Sequence, residues 1–193
     1  MITGYRLKQY VRHLRKAKGR HGVHSPFVYT LIEDVLQNKA AEDNALVLVT
    51  RKHKKLINQL VTYFQCRSIL WLANHHGEQE TFITITPVKD GEVQLKSEPL
   101  DAGSYEQDPQ PDLLLIDLRD PSDWQHAYEK YRFRLKNESF VLINSIHFSK
   151  QHTAAWEEIA SSEDVRLSLD LFKIGLLFFR EEFKEKQHFM LKH

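Results

Sequence analysis

The sequence predicts an α/β three-layer sandwich with a mostly parallel sheet and antiparallel C-terminal strands. Three observations carry this. First, residues 68–73, 112–117 and 140–144 are nearly continuous apolar runs of strand length, the pattern of strands buried on both faces. Second, amphipathic helical patterns separate these runs. Third, strand-like segments at 165–171, 176–180 and 188–191 close the chain with connections too short for parallel crossovers.

The elements follow in order. Residues 5–17 place Leu7, Tyr10, Val11 and Leu14 at helical spacing, and Gly19 is a plausible stop. The basic residues on this helix suit a membrane surface or nucleic acid, but its narrow apolar face, without Trp or Phe, predicts docking on its own domain. Ser25-Pro26 reads as an N-cap with proline at the first helical position. The helix it starts carries Phe27, Leu31, Val35 and Leu36 on one side and ends near Asn38, and residues 39–45 read as a linker. Residues 51–64 form a further helix with Leu56, Leu60, Val61 and Phe64 inward. It leads into the strand at 68–73.

The next strand-like run, 81–86, is rich in β-branched residues. Asp90-Gly91 then signals a hairpin into residues 93–96, though two parallel strands remain open as the alternative. Residues 97–111 contain Pro99, Gly103, Pro109 and Pro111 and read as loop. Ser122 is expected to cap a helix over 123–134, and Ser149 one that carries Ala154, Ala155, Trp156 and Ile159.

Bulk properties bound the function. The chain of 193 residues suffices for one core, and 41% hydrophobic with 27% charged residues is ordinary for a globular protein. Cys66 is the single cysteine, so no disulfide forms within the chain, and a buried apolar role is expected for it. No apolar run reaches the roughly 18–20 residues of a membrane span, and no apolar signal core follows the N-terminus. The expectation is a cytoplasmic protein without membrane contact. The net charge of +1 hides two blocks: seven Lys/Arg and no acid before Glu33, and eight acids against Arg119 over 98–123.

Longer motifs carry a resemblance. DLLLID (112–117), FVLINSIHFS (140–149), AWEEI (155–159), LDLFKIGLLFFR (169–180) and KQHF (186–189) resemble a class I S-adenosylmethionine-dependent methyltransferase family with bacterial, O-methyltransferase-like members. KAKGRHGVHSPFVY (16–29) and LVTYFQ (60–65) are similar to that family's N-terminal part. The resemblance implies a Rossmann-like methyltransferase domain over residues 41–193, with residues 1–40 as a basic helical extension of one compact unit.

It also implies where function should lie, and this sequence departs there. The family's first strand ends in an acid and a glycine-rich loop against the cofactor's methionine part; the matching LWLANHHG (70–77) keeps Gly77 alone. Only about seven residues, 74–80, separate this strand from the next apolar run, too few for a turn and a helix. The second strand should end in a ribose-binding acid, but Thr86-Pro87 stands there. Asp117 keeps an acid at the end of the fourth strand. The acid pair that ends the fifth is replaced by Asn144 and Ser145, which lack the charge a hard divalent cation needs.

The resemblance therefore implies a shortened, degenerate member without catalysis or cofactor, acting as a binding or regulatory partner of another protein or of its own copies. The alternative is an active small-molecule O-methyltransferase with a reshaped S-adenosylmethionine site. Its cofactor candidates are Trp71, Asn74, Gly77, Glu78 and Asp117, and its catalytic candidates Asp117, Asn144 and Ser145. Arg20, His21, His24, His147 and Trp156 are the candidates for a substrate or anion pocket. A third reading, a nucleic-acid module using the basic helix, ranks last because no nucleic-acid motif accompanies it.

Eleven histidines raise the question of a metal. His21 and His24, with His75-His76, His147 or His152, lack any helical His-x-x-x-His or Cys pair, so no metal is expected. A triad of Ser145, His147 and Asp117 lacks the nucleophile elbow.

Overall fold

A computed structural model describes residues 4–37, 51–73, 94–98 and 110–192 of the chain. These include five α-helices and a seven-stranded sheet. The helices are α1 (Gly4–Lys16), α2 (Pro26–Leu31), α3 (Arg51–Tyr63), α4 (Ser122–Tyr131) and α5 (Lys150–Ala160). The strands are β1 (Ser68–Ala73), β2 (Gln94–Glu98), β3 (Leu113–Asp117), β4 (Phe140–Asn144), β5 (Leu167–Asp170), β6 (Ile174–Phe178) and β7 (Gln187–Met190). Their spatial order is β2-β1-β3-β4-β6-β5-β7.

The apolar runs become central strands because both faces are covered. Trp71, Leu113, Leu115, Phe140, Leu142 and Leu176 pack on one face with Val28, Leu31, Leu56 and Leu60 of α2 and α3. Leu70, Leu72, Leu114, Ile116, Val141, Ile143 and Leu177 pack on the other with Trp124 and Tyr128 of α4 and Trp156 and Ile159 of α5. The alternation along each strand follows the two-residue period of the pleat.

β2, β1, β3 and β4 run parallel, and β6 lies antiparallel to β4 and β5. The finish differs from the expected all-antiparallel pairing in one strand. After β6 the chain takes the free edge of β5, where Gln187 sits beside Leu167, so β7 runs parallel to β5.

Two local expectations are met by the residues named for them. The Ser25 hydroxyl accepts from Val28 N at the start of α2, and that of Ser149 accepts from His152 N at the start of α5. Elsewhere the structure corrects the reading. Ser122 does not cap α4; the Asp120 carboxylate accepts from Ser122 N at 2.9 Å instead, a stronger acceptor placed two residues earlier. α2 continues into a wider turn over Ile32–Leu36, closed by Gln37 N donating to Ile32 O at 2.9 Å.

α1 is docked by the opposite face from the one its apolar residues predict. Leu7, Tyr10, Val11 and Leu14 are between 41% and 56% exposed. The inward positions are Tyr5, Gln9 and His13, spaced one turn apart. They dock through hydrogen bonds: Tyr5 donates to Thr153 Oγ1 at 2.8 Å, and His13 Nε2 meets Leu191 O at 3.1 Å. The backbone beyond the helix pairs with the end of β7, Lys18 N donating to Met190 O at 2.8 Å.

The region between β1 and β2 changes one premise of the sequence reading. The strand beside β1 is Gln94–Glu98, so the connection runs over residues 74–93, longer than the dozen or so that a parallel crossover requires. The pairing is parallel. The strand-like run 81–86 and the turn at Asp90-Gly91 lie outside the described residues, as do Asn74, Gly77 and Glu78.

Candidate functional site

The C-terminal ends of β1, β3, β4 and β5 share one edge of the sheet, where open α/β sheets bind ligands. Asp117 and Asn144, which end β3 and β4, meet there. Asn144 Nδ2 donates to Asp117 Oδ1 at 2.7 Å. Ser145 follows with a left-handed backbone (φ 64°), its amide donating to Lys173 O at 2.6 Å. The three catalytic candidates therefore cluster, through the register of parallel neighbours. Glu98 ends β2 opposite Leu72 of β1 and so lies on the same edge.

The other candidates divide. Trp71 is buried in the core face shared with α2 and α3. Arg20 pairs with Glu33 at 2.8 Å, and its Nε donates to the neighbouring His21 at 3.3 Å. His21 and His24 are exposed. His147 and Trp156 are brought together as lining residues of an open cavity of about 550 Å³, which Glu157, Ser168, Lys186 and His188 also line. Arg20, His21 and His24 do not line it. Trp156 also lies against Gly175 of β6, where a Cβ would meet its ring at 2.4 Å.

At the wall of that cavity lies a buried cluster of which sequence reasoning named only His147. The Asp170 carboxylate ends β5; its Oδ2 is 2.7 Å from His147 Nε2 and its Oδ1 3.4 Å from His13 Nδ1. Phe172 N donates to Oδ1 at 2.8 Å. Burial alone would raise the pKa of Asp170, yet the imidazoles of His13 and His147 and the Phe172 amide hold it well below the usual carboxylate range. The three side chains come from α1, the loop after β4 and the end of β5, so no sequence spacing announces them. The one available signal was the polar stripe Tyr5, Gln9, His13 on a helix judged by its apolar side.

No protein-family model matches the sequence, and no curated protein does. Solved structures do. The O-methyltransferase TomG from Streptomyces achromogenes, involved in tomaymycin synthesis and solved in complex with S-adenosylmethionine, is 13% identical, with a TM-score of 0.51 over 69% of this chain and 82% of that one. The chain has the class I methyltransferase fold. A provisional O-methyltransferase from Klebsiella pneumoniae is 12% identical, with a TM-score of 0.48 over 82% of this chain and 91% of that one. Among the described residues, no helix is long and apolar enough to cross a membrane.

Proposed function

We propose that this chain keeps the methyltransferase fold without methyl transfer, and acts as a binding or regulatory protein. One observation carries the reading: the Asp117 carboxylate at the end of β3 is engaged by the Asn144 amide, where the resemblance expects an acid pair after β4. A carboxylate that already accepts a hydrogen bond from its neighbour is a weak general base, and an amide supplies no charge for a divalent cation. β1 ends in Leu72-Ala73, with no acid on the strand for the cofactor's amino group. In this reading residues 1–40 form the basic extension and 41–193 the methyltransferase-type domain. Its partner is another protein or a second copy of the chain.

A second reading is favoured by a specific observation. Glu98 ends the strand beside β1, the position of a ribose-binding acid in this fold, and the 74–93 connection is long enough for a cofactor loop and crossover. An active small-molecule O-methyltransferase would use Glu98 and Asp117 for the cofactor's hydroxyl and amine groups.

Calorimetric titration of the folded chain with S-adenosylmethionine and S-adenosylhomocysteine, with and without magnesium, separates the two. The first reading expects no heat at millimolar ligand. Micromolar binding that is lost in Glu98→Ala would replace it with the second.

A further inference from the structure

The partner of His13 fixes its tautomer. His13 Nε2 faces the Leu191 carbonyl at 3.1 Å, and a carbonyl only accepts, so Nε2 carries a proton. In the neutral ring Nδ1 is then a lone pair, and it faces Asp170 Oδ1 at 3.4 Å. His147 is held on both sides: its Nδ1 meets Thr153 Oγ1 at 3.0 Å and its Nε2 meets Asp170 Oδ2 at 2.7 Å. Tyr5 donates to the same Thr153 hydroxyl, and Gln9 Nε2 donates to Tyr5 OH.

Two imidazole nitrogens and a carboxylate thus converge in a buried place, their ligand atoms all within 4.8 Å of one another. Among the described residues the buried His13 Nδ1 makes no hydrogen bond there. One divalent cation can take a ligand atom from each of the three.

We propose that His13, His147 and Asp170 form a binding site for a divalent transition-metal ion of the zinc class. Two imidazoles and one carboxylate match the ligand preference of such ions, whereas calcium and magnesium select oxygen donors. The supporting shell is already present: each imidazole turns its other ring nitrogen to an oxygen, Leu191 O or Thr153 Oγ1, and the carboxylate is held by Phe172 N. His147 and Asp170 line the 550 Å³ cavity, so the ion has an entry path and a face open to a water or ligand. The site shares no residue with the Asp117–Asn144 pair.

The test uses the full chain, stripped with a chelator and shown to be folded by circular dichroism. Zn²⁺ is titrated by calorimetry and Co²⁺ by visible absorption. The expected result is one equivalent of each, with a cobalt spectrum of nitrogen and oxygen ligation. His13→Gln and His147→Gln should abolish it, Thr153→Val should weaken it by about 10–100-fold, and the exposed His126→Gln should leave it unchanged. The cobalt spectrum of the unmutated chain reads the site even where a variant fails to fold. No stoichiometric binding by the folded chain, or binding that persists in both histidine variants, overturns the proposal.

Discussion

Asn144 holds Asp117 by a hydrogen bond of 2.7 Å across the ends of two adjacent parallel strands. The contact satisfies the acid by a neutral group, which is why the strand ends tolerate each other this closely. Restoring a second acid should expose that dependence. Asn144→Asp sets two carboxylates face to face, and like charges at this distance push one proton affinity up. The expected loss at neutral pH is about 1–2 kcal/mol, read from urea midpoints. The sign follows from the raised affinity: the loss is present above it and disappears as the pair takes up a proton, so the variant recovers toward about pH 5. An equal loss at both pH values would mean that lost packing, not charge, is responsible.

Gly175 faces Trp156 so closely that a methyl group would sit 2.4 Å from the ring. The tryptophan is fully buried between β6 and α5 and also lines the cavity, so it has little room to retreat. Gly175→Ala should destabilise the chain by about 1–3 kcal/mol, the cost of overpacking a filled core. Thermal melts check this. The same variant should alter the cavity wall, so its intrinsic tryptophan fluorescence should shift while the secondary structure stays intact.

Much of this architecture was legible in the sequence because periodicity reports burial. The runs at 112–117 and 140–144 are apolar on both faces and became β3 and β4; Ser25 and Ser149 cap because their hydroxyls precede helical patterns. α1 misled because hydrophobic patterning assumes that docking is apolar, whereas Tyr5 and His13 dock by hydrogen bonds. The strand expected at 93–96 lies at Gln94–Glu98, beside β1, while the more strongly patterned run 81–86 lies outside the described residues. Asp117 and Asn144 could be named from the strand ends. Asp170 and His13 could not, since their chemistry exists only once β5, α1 and the loop after β4 are brought together.

Cys66 is buried at the entry to β1, and burial together with the nearby Asp112 charge pushes its thiol up to about 12. A thiol reacts as its thiolate, so this one should be inert in the folded chain at neutral pH. Labelling with a small thiol reagent should be negligible under native conditions and complete in denaturant. Rapid native labelling would show that the start of β1 opens readily.

Asp112 joins the beginnings of two parallel strands. Its Oδ2 accepts from Arg67 N at 2.8 Å and Ser68 N at 2.9 Å, and Lys136 donates to Oδ1 at 3.0 Å. Partial burial would raise its proton affinity, but the Lys136 hydrogen bond and the two backbone donors outweigh it and hold the carboxyl below its ordinary value. A group whose affinity is lowered on folding stabilises the fold above the unfolded value and loses that contribution as pH falls through the folded one. Asp112→Ala should therefore cost about 1–3 kcal/mol at neutral pH, with the gap to the unmutated chain narrowing only below about pH 4. Denaturant midpoints measured for both chains across that range decide the matter. A gap that stays constant into acid would assign the role of Asp112 to its neutral hydrogen bonding, and one absent at neutral pH would show that Lys136 and the strand ends hold without it.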